Sequence, residues 1–257
     1  MTQAKPDPDT GETANPTAAM ITIGDEILSG RTQDANMPFL AQALAAKGIP
    51  MREARTVPDV AEEIVAAVNA LRAKYTHVFT SGGIGPTHDD ITADCVAAAF
   101  GVGIDVREDA RAILATNYKN PDVDLNEARL RMARIPDGAT LIDNPVSKAP
   151  GFSLGNVHVM AGVPKIFQTM VEHLLPKLAD GLAVLSDAIR IDEPEGRIAG
   201  PLRKVAEAHP EVSIGCYPFQ IDGAFGANVV ARSTDPEALA AAMTALREMA
   251  ASLAAPA

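Results

Sequence analysis

Between residues 18 and 180, short apolar runs alternate with amphipathic stretches, and glycine, proline or small polar loops separate them. Ala18-Ala19-Met20-Ile21-Thr22-Ile23, Ile49 to Val57 and His77-Val78-Phe79-Thr80 read as strands. Between them Phe39, Leu40, Ala43 and Leu44 recur at helical spacing up to Gly48, and Val60, Ile64, Val68 and Leu71 form the stripe of a second helix. Asp59 stands at the start of that helix with Glu62 three residues on, the spacing of a capping box. Ala93 to Phe100 predicts a third helix. Weaker helical patterns cover Val106 to Tyr118 and Leu125 to Met132. Ile135 to Thr140 reads as a turn into the strand Leu141-Ile142. Phe152 to Met160 reads as a hairpin turning at Gly155-Asn156, and Pro164 opens a helix carrying Ile166, Met170, Leu174 and Leu178.

Strand–helix alternation of this kind predicts an α/β domain, a mostly parallel sheet with crossover helices on both faces. The order changes near Asp180-Gly181. Residues 181–257 then read strand, helix, two strands, helix, which is a small α+β domain. Gly223-Ala224-Phe225-Gly226 has the Gly-x-x-Gly spacing of a nucleic-acid clamp, but it falls between two strands with no Lys or Arg from Glu211 to Ala231, so it reads as a hairpin turn.

Charge narrows the classes of partner. With a formal net charge of −11, extended contact with nucleic acid or an anionic membrane is not expected, and a small phosphate-bearing ligand would need local help. No run approaches 18 apolar residues, so no membrane span is expected. Residues 1–17, rich in Pro and acidic side chains, read as a disordered lead-in rather than a signal peptide. The expected location is cytoplasmic. Cys95 and Cys216 fit no metal-ligand spacing and read as buried thiols of a reducing compartment.

The chemistry is expected in Ser81-Gly82-Gly83-Ile84-Gly85-Pro86-Thr87-His88-Asp89-Asp90-Ile91-Thr92. Its glycines let backbone approach a ligand closely, and a turn of this type before a helix offers N–H groups to a phosphate. The plainer reading is a strand-to-helix turn with an aspartate cap. Gly24-Asp25-Glu26-Ile27-Leu28-Ser29-Gly30 is a second loop with two carboxylates, which equally well serve its own N–H groups. Because ligands of open α/β sheets bind beyond the carboxyl ends of the strands, these two loops and the 57–59 turn should share one rim.

Three segments together resemble one family. Ile23 to Gly30, Gly82 to Thr92, and Asn144-Pro145-Val146-Ser147-Lys148-Ala149-Pro150-Gly151-Phe152 are similar to the molybdopterin-binding (MoaB/Mog-like) domain family, in particular its CinA-like (competence/damage-inducible) branch. The likeness covers residues 18–180, and residues 181–257 look like the smaller region that follows in that branch. The nicotinamide-nucleotide deamidase domain of longer members has no counterpart here, so no deamidase activity is expected.

The resemblance implies a three-layer α/β/α fold, commonly a homo-oligomer. It places Asp59 and Asp90 at the positions of two pocket aspartates and implies one of three roles: metal-dependent hydrolysis of a nucleotide pyrophosphate such as ADP-ribose, binding of molybdopterin or a nucleotide without turnover, or adenylyl transfer to molybdopterin. On this reading Gly82, Gly83 and Gly85 cradle phosphate. Asp90, with Asp25 and Asp59, holds Mg²⁺, Mn²⁺ or Co²⁺. Asn36 and Ser147 bind ribose or pterin edges, Lys148 and Lys165 supply positive charge, and Gly24, Glu26, Ser81, Pro86, Thr87, Asp89, Thr92, Asn144 and Gly151 complete the ligand-binding set. Plainer roles stand beside these: Asp59 as a helix cap, Lys148 as a solvated side chain, and His88, where the family usually has Lys, as an exposed loop residue. Ala161-Gly162-Val163-Pro164 also departs from the family's Gly-Pro-Pro turn. The remaining histidines, His77, His158, His173 and His209, read as scattered.

Overall fold

The computed structural model describes residues 15–221 and 223–254. Most of the expected lead-in, residues 1–14, lies outside the described residues. The chain divides into two compact units, residues 1–181 and 182–257.

In the first unit the elements run β1 (Ala18–Ile23), α1 (Asp25–Leu28), α2 (Asn36–Ala46), β2 (Met51–Val57), α3 (Ala61–Arg72), β3 (His77–Ser81), α4 (Thr92–Phe100), β4 (Ile104–Val106), α5 (Glu108–Ala115), α6 (Pro121–Asp124), α7 (Glu127–Leu130), β5 (Arg134–Pro136), β6 (Thr140–Ile142), β7 (Gly151–Leu154), β8 (Val157–Met160) and α8 (Pro164–Leu174). The main sheet has the order β2-β1-β3-β8-β7-β6. Its first four strands are parallel, while β7 and β6 return antiparallel as the expected hairpin and its neighbour.

Alternation along β1 builds the three layers. Ala19, Ile21 and Ile23 face one core with Ile64, Val68 and Leu71 of α3 and Val96 of α4. Ala18 and Met20 face the other, with Leu40 and Leu44 of α2 and Phe167 and Met170 of α8. Every residue of β1 is buried, as expected of a central parallel strand with helices on both sides.

Several expectations need correction. The 24–30 loop contains one helical turn, α1. The capping box does not form: Val60, extended and 44% exposed, occupies the cap position of α3 without a side-chain bond. Asp59 instead accepts the Asp25 N–H at 3.0 Å. Residues 135–136, read as the start of a turn, belong to β5, which pairs with β4 in a separate ribbon. Strands of three residues are too short to display an alternating pattern.

His77 and His158 are neighbours across β3 and β8. Their ring nitrogens lie 3.2 Å apart, and the second ring nitrogen of His158 is 2.8 Å from Ser153 Oγ. Burial, followed by repulsion from His77, pushes the His158 imidazole down to about 3. The unfolded chain therefore takes up this proton first. Stability is complete above pH 6.5 and is lost as pH falls from there towards 3, by up to about 1.4 kcal/mol per pH unit. Urea midpoints of the wild type should drop between pH 7 and pH 5, and the His158→Gln variant should show a flatter profile over the same interval.

The second unit comprises β9 (Leu185–Ile191), α9 (Glu195–Ala208), β10 (Ser213–Ile221), β11 (Ala224–Ser233) and α10 (Pro236–Ala254), with an antiparallel sheet ordered β10-β11-β9. Ala227, Val229 and Ala231 of β11 bury one sheet face against Ile198 of α9 and Met243 and Leu246 of α10. Ile221 pairs with Ala224, so the Gly-x-x-Gly segment is strand after its first residue, and the turn is shorter than expected. Phe219 occupies the space beside Gly226, where an added Cβ would meet the ring at 2.4 Å.

Candidate functional site

The loops following β1, β2 and β3 meet at the carboxyl ends of the parallel strands, around a cleft of about 580 Å³. The two carboxylate-bearing loops and the 57–59 turn therefore do share one rim. From the expected set, the cleft wall holds Gly24, Glu26, Asp59, Gly82, Gly83, Gly85, Pro86, Asp89, Asp90, Asn144 and Ser147. It also includes Ile23, Thr32, Ile84, Met132 and Ile166, which no motif signalled as ligand-facing. These are largely apolar residues whose spacing in sequence reads only as core.

Two glycines are required for close approach. Gly82 has φ +107°, and a Cβ there would sit 2.2 Å from the Ile23 carbonyl oxygen. Gly83 has φ +69°, and its Cβ would meet Thr92 Oγ1 at 2.1 Å. Thr92 is buried and donates to the Gly82 carbonyl at 2.9 Å, while its own N–H donates to Gly83 O. Thr92 thus anchors the loop rather than lining the cleft. The Gly82 N–H is engaged with Met160 O at 3.2 Å, which removes it from the expected phosphate cradle. The N–H groups of Gly83 and Gly85 have no protein partner among the described residues.

Asp90 does not cap α4, whose cap position is Ile91. Its Oδ2 accepts from Thr87 N at 2.8 Å and from Thr87 Oγ1 at 2.5 Å, closing the Pro86–Asp89 crest of the loop. Thr87 is exposed and reaches the site through this bond and through the Asp89 carboxyl. His88 is exposed, as its plainer reading holds, and lies 3.9 Å from Asp89. The Thr87 bond, the Asp89 N–H and then the His88 charge hold the Asp89 carboxyl below the ordinary value. Asp59 moves the other way. Burial raises it first, the Asp25 N–H opposes, and the charges of Asp25, Glu26 and Asp89 raise it further.

Asn36 and Ser81 are not in the cleft wall; they line a smaller recess of about 50 Å³ that shares Ile23, Glu26, Thr32, Gly162 and Pro164 with it. Buried Asn36 donates through Nδ2 to Ser81 Oγ and to the Gly162 carbonyl, both at 2.7 Å, so it ties α2 to the end of β3 and to the 162 loop. Asn144 braces its own loop, donating to Ser147 Oγ and Ala149 O at 2.7 Å. Lys148 is not in the cleft wall. It takes the left-handed conformation at φ 61° and donates its N–H to Asn144 O. Lys165 is exposed and outside the wall. Gly151 is buried at the start of β7, where a Cβ would strike Val159 O at 2.3 Å. Asp25, assigned with Asp90 to a metal, is exposed and absent from the wall.

Electrostatically the cleft is one-sided. Glu26, Asp59, Asp89 and Asp90 line it, and no Lys or Arg is among its lining residues. These carboxylates are the hard oxygen donors that suit Mg²⁺ or Mn²⁺. They are not preassembled: among the described residues no group of three or more His, Cys, Asp or Glu side chains is gathered to hold an ion. Neither cysteine lines the cleft; burial pushes the Cys95 thiol up to about 11. No helix among the described residues is long and apolar enough to cross a membrane.

A three-layer α/β domain with a glycine-walled cleft at the carboxyl rim of its parallel strands belongs to the class of domains that bind small ligands at strand ends. The particular family follows from comparison. The model of the probable molybdopterin binding domain matches residues 19–180, and the chain belongs to that family. Residues 183–255 match the FAD synthase middle domain. A protein of Aeropyrum pernix is 33% identical over 213 residues, covering 79% of this chain and 80% of that one. Another from Pyrobaculum calidifontis is 35% identical over 212 residues, covering 79% and 81%. Among solved structures, CinA of Thermoplasma acidophilum, described as of unknown function, superposes with a TM-score of 0.59 at 35% identity, covering 63% of this chain and 98% of its own. The chain is thus a CinA-like member of the family.

Proposed function

We propose that the cleft of the first unit is a binding site for a phosphate-bearing pterin or nucleotide, molybdopterin being the ligand named by the family. The observation that carries this reading is the pair of amides at Gly83 and Gly85, without partners among the described residues, in the wall of a cleft of about 580 Å³. Backbone N–H groups at such a turn suit phosphate oxygens, and the apolar wall of Ile84, Met132 and Ile166 suits the flat face of a heterocycle. The FAD synthase likeness of the second unit is a likeness to a protein whose name also denotes a nucleotide product. Calorimetry with molybdopterin and with ADP-ribose, each with and without Mg²⁺, tests the proposal. Saturable binding of at least one ligand is expected, and no binding under any of these conditions would overturn it.

Metal-dependent cleavage of a pyrophosphate is a second reading, favoured by the acidic wall and by the upward shift of Asp59. Mg²⁺ commonly binds through one or two carboxylates plus the phosphates of a ligand, so a preassembled cage is not required. Held by Asp59 and Asp90, such an ion would neutralise a pyrophosphate and lower the pKa of a bound water. Asp59 must lose its proton to serve, so affinity for the ion should rise with pH through its raised value. Incubation with ADP-ribose and Mg²⁺, Mn²⁺ or Co²⁺ decides between the readings: AMP release, lost in Asp59→Asn, identifies turnover, and its absence with every metal leaves binding alone.

A further inference from the structure

A guanidinium with no ion-pair partner among the described residues stands beside the glycine loop. Arg131 lies in the single 3₁₀ turn that follows α7, and its Nη2 donates to the Asp90 carbonyl at 3.0 Å. Its Nε is shielded from solvent and has no hydrogen-bond partner among the described residues. The neighbouring arginines are neutralised: Arg129 lies 3.8 Å from Asp124, and Arg134 is 2.5 Å from Asp94. Arg131 forms no such pair among the described residues.

A buried donor left unpaired costs about 1–3 kcal/mol, and more when the group is charged. Arg131 and Arg134 line a cavity of about 10 Å³ whose wall includes Gly83, Gly85 and Asp90. That space is about one water-sized probe, so it admits a single oxygen atom. The larger cleft shares these three residues but has four carboxylates and no cation. An anion placed on the Gly83 and Gly85 amides would therefore find counter-charge through this cavity, where Arg134, whose Nε also lacks a partner among the described residues, is already paired with Asp94 and Arg131 is not. Guanidinium stays charged at every working pH and forms charge-assisted bonds to phosphate oxygens.

We propose that Arg131 is the phosphate-binding residue of the cleft, reaching a phosphoryl oxygen of a ligand seated on the Gly83 and Gly85 amides. It takes the part that the sequence assigned to Lys148 and Lys165. The inference rests on the reading of the cleft as a site for phosphate-bearing ligands.

Calorimetric titration of the full chain with inorganic pyrophosphate and with ADP-ribose tests it. Arg131→Gln should weaken both by tenfold or more, Arg131→Lys should fall between, and Arg203→Gln, which removes one exposed charge from the second unit, should match the wild type. If Arg131→Gln does not fold, as judged by its thermal transition, the charge-conserving Arg131→Lys carries the test alone, with a loss of threefold or more expected. Wild-type affinity in a folded Arg131 variant overturns this inference and leaves the binding cleft standing. Failure of the wild type to bind either compound, with or without Mg²⁺, overturns this inference, and failure to bind molybdopterin as well overturns the reading of the cleft.

Discussion

Gly82→Ala is expected to unfold the rim of the cleft. The substitution places a methyl group 2.2 Å from the Ile23 carbonyl oxygen at a backbone φ of +107°. Neither partner can yield cheaply, since the oxygen belongs to the last residue of the central strand β1. Backbone strain and overpacking together should cost about 3 kcal/mol or more. For a unit of this size that corresponds to a fall in melting temperature of roughly 6–12 °C. Gly101→Ala provides the comparison. It also has a positive φ, +68°, but nothing within 4 Å of the added carbon, so the cost should be only about 1 kcal/mol. Equal losses in the two variants, measured by thermal melts, would refute the close-approach argument.

Asp90→Ala should produce a large loss of ligand affinity with the fold retained. Its carboxylate receives both bonds that close the Pro86–Asp89 crest, and it also lines the cleft. Removing it frees the loop and takes away a candidate metal ligand. Affinity for ADP-ribose with Mg²⁺ should fall tenfold or more, about 1.4 kcal/mol. Thr87→Ala removes only the hydroxyl bond and should cost about threefold, since a single hydrogen bond contributes roughly 1 kcal/mol or less. Because the two side chains act through one contact, the double variant should bind no worse than Asp90→Ala alone. Additive losses would show that Thr87 serves the ligand by another route.

The sequence was most informative where periodicity was long or polar equipment was dense. β1, and β3 and α4 but for one residue each, were legible from apolar runs and glycine punctuation, and the meeting of the 24–30, 57–59 and 81–92 loops followed from strand–helix alternation. Local patterns misled where a side chain had a tertiary partner. Asp59 has the spacing of a cap, yet the Asp25 N–H, 34 positions away in sequence, claims its carboxylate. Asp90 looked like either a cap or a ligand; it is not the cap, and its carboxylate braces its own loop while lining the cleft. Gly82 and Thr92 belong to the motif but act as its foundation, which spacing cannot distinguish from contact with a ligand. The apolar wall was invisible because Ile84, Met132 and Ile166 come from separate segments that only the fold brings together.

The buried amide of Asn36 fastens three segments at one point, the start of α2, the end of β3 and the 162 loop. That side of the cleft must move as a block or not at all. The opposite lip, residues 86–89, is exposed and held by the Asp90 carboxylate. Accommodation of guests of different length therefore falls to the lip alone, and amide exchange should be fast along it while the far wall stays protected.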